Sequence, residues 1–121
     1  MSKSYTLCPV HSDYVSDLFK LMILLKKREN MTDEDFADYW LHVHAPLAKK
    51  MPGVRKYVIN LVKKPPKRES HYQGVVELWF ENIQSMKTAF ASADGRLTSE
   101  DTHRFVSDMT ILYIDEHEIT L

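Results

Sequence analysis

Two segments of this chain carry apolar side chains on both faces of a predicted strand. Residues 18–26 place Leu18, Met22 and Leu24 on one face and Phe19, Leu21, Ile23 and Leu25 on the other. Residues 74–81 place Val76, Leu78 and Phe80 opposite Val75, Glu77 and Trp79. Because successive strand residues point to opposite faces, both segments must be covered on two sides. We therefore predict that they are the central strands of a sheet.

The order of the remaining elements narrows the choice of fold. Residues 54–62 and 109–114 supply two further strands, and helical patterns follow Thr32 and Asn82. The resulting order of strand, helix, strand, strand, helix, strand is that of a ferredoxin-like βαββαβ sandwich. We predict an α+β fold in which a four-stranded antiparallel sheet carries both helices on one face.

Capping residues set the predicted helix boundaries. Thr32 precedes three acidic residues, which favour the start of a helix, and Asn82 is a suitable cap for the second helix. Asp94 and Gly95 are predicted to end that second helix. Thr98, with Asp101 three residues later, resembles a capping box that would begin a further short helix.

The first helix has one apolar face. Its members recur at helical spacing and are Phe36, Tyr39, Trp40, Val43, Leu47 and Met51. His44 lies at the edge of this face, where a polar tip can reach a cleft. Pro46 follows two residues later, so we expect the helix to kink or restart there. The Pro52-Gly53 pair ends the helical run.

Two helices on one side leave the other face of the sheet open. That face would carry Val75, Trp79 and half of the side chains of residues 18–26. An apolar patch of this size marks an interface. We therefore expect a homodimer in which the two sheets face each other.

The run from Phe36 to Tyr57 contains Trp40, the sequence His-Ala-Pro-Leu from His44, the sequence Met-Pro-Gly from Met51, and Tyr57. This pattern resembles the EthD-like family of the dimeric α+β barrel superfamily. The likeness is dense over these residues and continues more loosely from Leu18 to the end of the chain. It implies a single EthD-like domain at residues 18–121. Residues 1–17 have no sustained period and are predicted to form an N-terminal arm packed on the body or on a partner.

The resemblance also implies a range of activities. Some members accompany ether-degrading systems, and others are cofactor-free lactone isomerases or cyclases and decarboxylases of aromatic polyketides. The family histidine corresponds to His44 and the tyrosine after the Pro-Gly pair to Tyr57. The lactone isomerases carry a cysteine on the helix, whereas the only cysteine here is Cys8, so that chemistry does not transfer.

Length, charge and composition limit the partners, cofactors and cellular compartment that we expect for this chain. A length of 121 residues favours one domain, and a net charge of −1 gives no basic footprint for nucleic acid or an anionic membrane. With three glycines and no glycine-rich loop, a nucleotide cofactor is disfavoured, and we expect no cofactor. One cysteine and the lack of a signal-peptide pattern lead us to expect a cytoplasmic protein.

Candidate site residues follow from the same segment. His44 can act as acid or base near neutral pH, although a structural role in capping carbonyls freed by Pro46 is an equal alternative. Tyr57 could orient a substrate oxygen or be a core tyrosine with a buried hydrogen bond. Tyr39 and Trp40 are candidates for the apolar wall of a substrate cleft, or plain core.

Glu77 and the pair His42 and His44 are considered for substrate binding and for metal binding, respectively. Glu77 interrupts an apolar strand face and is a candidate for substrate binding, or for an ion pair with Arg55 or Lys56. His42 and His44 do not form a metal site, because side chains two apart on a helix diverge by about 200°. We predict no metal.

The leading prediction is cofactor-free proton transfer on a small apolar or aromatic oxygenated compound, giving isomerisation, cyclisation or decarboxylation. His44 and Tyr57 would be catalytic. The alternative is a non-catalytic binding or accessory protein of a degradation pathway that uses the same cleft. A third interpretation is haem binding through a histidine, which relatives in the wider superfamily display.

Overall fold

A computed structural model describes residues 17–65 and 68–121 of the chain. The strands are β1 (Phe19–Lys27), β2 (Lys56–Leu61), β3 (Gly74–Phe80) and β4 (Val106–Ile114). The helices are α1 (Asp33–Tyr39), α2 (Ala45–Ala48), α3 (Ile83–Ala91) and α4 (Ala93–Thr102), with a π-helical segment at Trp40–His44. The predicted N-terminal arm lies, except for Asp17, outside the described residues. None of the described helices is long and apolar enough to cross a membrane.

The sheet is antiparallel and has the strand order β2-β3-β1-β4. The prediction that the first and third strands are central is confirmed, and the fold is the ferredoxin-like α+β sandwich. Leu21 lies between Leu78 of β3 and Tyr113 of β4. The core is the layer between this face of the sheet and the helices, where Phe36, Trp40 and Phe105 are almost fully buried.

The first helix begins where its cap predicts. The hydroxyl of Thr32 accepts a hydrogen bond from the amide of Asp35 at 3.0 Å, and Asp33, Glu34 and Asp35 occupy the first turn. Negative charge at this end is favourable because the free amides make the helix N-terminus positive. The start of α1 is therefore fixed by local sequence.

The predicted kink before Pro46 takes the form of a π turn. The amide of Ala45 donates to the carbonyl of Trp40, five residues earlier. A π turn holds one residue more than an α turn at the same place. Residues after it are therefore displaced by one position relative to the buried face.

This displacement corrects the predicted apolar face. Val43 was expected inside but is 46% exposed, and His44, expected at the edge, is only 6% exposed. Ala48 is likewise buried, whereas the neighbouring Leu47 is only partly so. An uninterrupted helical period cannot anticipate this shift, because the period itself changes within the segment.

The predicted boundary at Asp94 and Gly95 is wrong. Ser92 separates α3 from α4: its hydroxyl donates to the carbonyl of Ala89 at 2.6 Å and accepts from the amide of Gly95 at 3.0 Å. Gly95 lies in the first turn of α4, where a Cβ would stand 2.2 Å from the Ala89 carbonyl oxygen. The glycine permits close approach of two helices rather than ending one.

The predicted capping box at Thr98 and Asp101 is wrong for the same reason. Both residues lie inside α4 and are buried. The hydroxyl of Thr98 donates to the carbonyl of Asp94 at 2.8 Å instead of capping a new helix. Asp101 is therefore available for contacts with other elements.

The face of the sheet away from the helices is more polar than predicted. The ammonium of Lys20 pairs with Glu77 at 2.7 Å and with Glu116 at 3.5 Å. The indole of Trp79 donates to Glu116 at 2.8 Å and is covered by the ammonium groups of Lys20 and Lys56. Apolar side chains of this face remain partly exposed: Met22, Leu24, Val58, Val75 and Leu112.

Replacing Gly95 by alanine should destabilise the protein by about 2 kcal/mol, because the new methyl group would meet backbone atoms of α3 that cannot move independently. In an ordinary helix interior the same change is stabilising by roughly 1 kcal/mol. Urea unfolding followed by circular dichroism measures the difference. Arg96→Ala, at the exposed next position, is the control and should change stability by less than about 0.5 kcal/mol. A stabilising Gly95→Ala would contradict the packing described.

Candidate active site

A cavity of about 450 Å³ lies between the helices and the sheet. Its floor is formed by strand side chains that point toward the helices: Leu21, Ile23, Leu25, Val76, Leu78, Met109 and Ile111. Its polar groups come mostly from the helical side, with His44 from the π-helical segment and Thr98, Ser99, Thr102 and His103 from α4 and its C-terminal end. A pocket of this size and character fits one small, largely apolar molecule.

His44 is held in place by Asp101. Its Nδ1 lies 2.9 Å from Oδ2 of the carboxylate, in a contact that is buried. Phe105 packs on the same imidazole, with 4.8 Å between ring centroids. His44 also lines the cavity, so the second ring nitrogen, Nε2, remains for a ligand there.

Asp101 is in turn held through its other oxygen. The hydroxyl of Tyr39 donates to Oδ1 at 2.6 Å, and Nε of Arg104 lies 3.6 Å from the same atom. Tyr39, predicted as part of the apolar wall of the cleft, thus faces the carboxylate and is absent from the cavity lining. The arrangement is a short chain that runs from tyrosine to carboxylate to imidazole.

Burial favours the neutral form of His44. Removal from water lowers the pKa of the imidazole below its ordinary value of 6.5, and the hydrogen bond and charge of Asp101 offset only part of that effect. A neutral ring next to a carboxylate carries its proton on Nδ1, where it can donate. Nε2 then has a free lone pair, which is the form required of a base.

Tyr57 and Trp40 both line the cavity. Burial raises the pKa of Tyr57 to about 12, partly offset by the nearby indole of Trp40, so the phenol stays protonated and can donate a hydrogen bond. Trp40 is almost fully buried and packs against Phe36 with ring centroids 5.4 Å apart. A Cβ on Gly74 would stand 2.2 Å from this indole, so the absence of a side chain at Gly74 leaves space for Trp40 in the cavity wall.

Glu77 is not brought to the cavity. It lies on the opposite face of the sheet, where Lys20 pairs with it at 2.7 Å and the amide of Asn60 donates to it at 3.0 Å. The hydrogen bond from Lys20 lowers the pKa of this carboxyl. The alternative of an ion pair therefore applies to Glu77, but its partner is Lys20 rather than Arg55 or Lys56, and Arg55 pairs with Glu81.

The model of the EthD domain family matches residues 28–108. The chain belongs to the EthD domain family. The matched stretch contains the histidine of the π-helical segment, the cavity tyrosine and the aspartate of α4. A comparison with curated proteins gives no match.

Solved structures share the fold of this EthD-domain protein. An EthD family protein from Bacillus halodurans is 24% identical with a TM-score of 0.72, covering 83% of this chain and 99% of its own. A hydroxynitrile lyase from Passiflora edulis is 10% identical with a TM-score of 0.68, covering 86% and 97%. A dimeric ferredoxin-like protein from Thermobifida fusca is 11% identical with a TM-score of 0.65, covering 80% and 89%.

Asp101 is the site residue that the sequence prediction missed, because its spacing from Thr98 imitates a cap. The signal that finds it is periodicity counted from the true start of α4 at Ala93. Gly95, Thr98 and Asp101 then lie three apart on the one buried face of that helix. An acidic residue on such a face requires a partner, and His44 provides it.

The two histidines of the first helical segment have separate environments. His42 is exposed and His44 is buried, as expected for residues that point in different directions. Across residues 17–65 and 68–121, no cluster of three or more His, Cys, Asp or Glu side chains is placed to hold a metal ion.

The lowered pKa of His44 makes the stability of the protein depend on pH. Below about pH 6.5 this residue is protonated more readily in the unfolded chain than in the folded chain, so the free energy of unfolding falls as the pH drops. Urea unfolding should show that the free energy of unfolding falls more between about pH 7.5 and about pH 5.5 in the wild type than in His44→Gln. His42→Gln, which removes an exposed imidazole, is the control and should retain the wild-type loss. Equal losses in the wild type and His44→Gln would argue against a depressed pKa.

Proposed function

We propose that this EthD-domain protein is an enzyme that catalyses cofactor-free proton transfer on a small apolar or aromatic oxygenated compound. The observation that carries the proposal is the His44–Asp101 pair, with Nδ1 and Oδ2 2.9 Å apart, at the wall of an apolar cavity. A purely structural histidine does not require an open cavity beside its free nitrogen. The reaction would be an isomerisation, a cyclisation or a decarboxylation.

In this proposal His44 is the general base. Its Nε2 removes a proton from an acidic C–H or O–H group of the substrate, and the imidazolium that forms is stabilised by the carboxylate of Asp101. The same nitrogen returns the proton at another atom of the substrate, which completes an isomerisation. The apolar surroundings favour this cycle because they keep the resting imidazole neutral.

Tyr57 is proposed to bind the substrate oxygen. Loss of a proton next to a carbonyl places negative charge on that oxygen, and a phenol with a pKa of about 12 remains a hydrogen-bond donor to it. His44 and Tyr57 come from different elements and line the same cavity, so one molecule can contact both. Trp40 and the strand floor supply the apolar contact that selects the body of the substrate.

The family and its neighbours are compatible with an enzyme. A protein with this fold from Passiflora edulis is a hydroxynitrile lyase, so the architecture can carry catalysis. At 10% identity that structure supports the fold alone, and the choice of reaction rests on the site of this chain.

Replacing His44 by glutamine should lower kcat by about 10² to 10⁴-fold while leaving ligand affinity nearly unchanged, because the amide can fill the space but cannot accept the proton. Substrates would be sought among lactones, enolisable ketones and hydroxylated aromatics that raise the melting temperature. Exchange of their C–H protons in D₂O, followed by ¹H NMR, then reports proton transfer before any product is identified.

The control for this experiment is His42→Gln, which should keep wild-type exchange. Binding by the wild type with neither exchange nor conversion of the ligand would make the protein a binder rather than an enzyme. Exchange that persists in His44→Gln would remove this residue from the mechanism.

We also propose that the protein is a homodimer joined through the open face of the sheet. Partly exposed apolar side chains on that face, including Leu24 and Val75, support this, and structural neighbours from Bacteroides fragilis and Thermobifida fusca are dimeric. A second copy packed on this face would remove those side chains from water.

Light scattering at micromolar concentration should give twice the mass of one chain. Leu24→Asp should shift the protein toward the monomer, because it places a charge in the proposed interface. Leu41→Asp, on the exposed surface of the π-helical segment, should not. A wild-type monomer at this concentration would contradict the proposal.

A further inference from the structure

The carboxylate of Asp101 divides its two oxygens between different partners. Oδ2 accepts from Nδ1 of His44 at 2.9 Å, and Oδ1 accepts from the hydroxyl of Tyr39 at 2.6 Å. Arg104 approaches Oδ1 to 3.6 Å from the solvent side, where its own side chain is 74% exposed. Because Asp101 itself is 8% exposed, these groups rather than bulk water determine how its charge is shared.

We propose that Tyr39 is a positioning residue that, together with Arg104, sets the strength of His44 as a base by sharing the charge of Asp101. This inference rests on the proposed function only for its consequence in catalysis, because the effect of Tyr39 on His44 exists without substrate. The proposal assigns Tyr39 a role other than a substrate contact.

The physical reason is competition for one carboxylate. A carboxylate that accepts a short hydrogen bond and lies near a guanidinium stabilises a neighbouring imidazolium less than an unshared carboxylate does. Burial and the hydrogen bond to Asp101 raise the pKa of Tyr39 to about 12, so its hydroxyl remains a donor at neutral pH. The shared carboxylate of Asp101 therefore orients the His44 ring through a hydrogen bond but stabilises its protonated form less than an unshared carboxylate would.

The π turn explains how Tyr39 and His44 reach the same carboxylate. They are five residues apart, and in a regular α-helix such side chains diverge by about 140°. Between them the chain passes into a π-helical segment, in which hydrogen bonds join residues five apart. Both side chains consequently reach Asp101, one to each oxygen.

Other charged or titratable groups line the same cavity as His44. They are Tyr57 of β2, Lys87 of α3, His103 at the end of α4 and Tyr113 of β4. Within residues 17–65 and 68–121, none of their side chains bonds to the carboxylate of Asp101. These residues are the same in the wild type and in the variants of Tyr39 and Arg104, so a difference in the titration midpoint of His44 does not come from replacing them.

The test is an NMR titration of the His44 ring in the full-length protein at low ionic strength, without ligand. The midpoint should rise in Tyr39→Phe, rise by a smaller amount in Arg104→Gln, and stay unchanged in Tyr113→Phe, which alters a cavity tyrosine that does not contact Asp101. Asp101→Asn should lower the midpoint, because it removes the charge that stabilises the imidazolium. The rank order of the four variants is the expected result.

A folded Tyr39→Phe with the wild-type midpoint and only a lower melting temperature would overturn the proposal, since that is the behaviour of a merely structural hydrogen bond. If Tyr39→Phe does not fold, Arg104→Gln decides, because its side chain is exposed and its loss leaves the core intact. The titration needs no substrate. It can therefore succeed or fail independently of whether the protein turns out to be an enzyme.

Discussion

The missing amide hydrogen of Pro46 is the constraint on which the site depends. A proline ring inside a regular helix clashes with the carbonyl four residues earlier and removes one hydrogen bond. Here the chain accommodates it by widening the preceding turn, with Ala45 bonded to Trp40. The wider turn places His44 inside the protein and Val43 outside. A backbone adjustment at one residue thus determines which side chain enters the cavity.

The environment of that side chain balances two opposing effects. Apolar neighbours, including Phe105 at 4.8 Å between centroids, favour a neutral imidazole, whereas Asp101 favours a charged one. Burial prevails, and the carboxylate then serves mainly to fix the tautomer and the direction of the ring. This balance suits a base, since a ring that was charged at rest would have no lone pair to offer a substrate.

The fold followed from sequence because its signals were local and repeated, as in the two strands with apolar residues on both faces and the cap at Thr32. His44, Tyr57 and Trp40, which line the cavity, were predicted as candidates because the motif that contains them is continuous in sequence. Asp101 was not, since its partner lies 57 residues away and its spacing from Thr98 imitates a cap. The inward rotation of His44 was also missed, because a fixed helical period cannot represent a turn that holds an extra residue.

The chemical groups and the shape of the cavity come from different layers of the sandwich. His44 and Asp101 belong to helices, whereas most of the floor consists of strand side chains such as Ile23 and Met109. Substitutions on the strands can enlarge, shorten or reshape the space without moving the imidazole or its carboxylate. A scaffold divided in this way can come to hold a different small molecule by changing one layer while its imidazole–carboxylate pair is inherited intact.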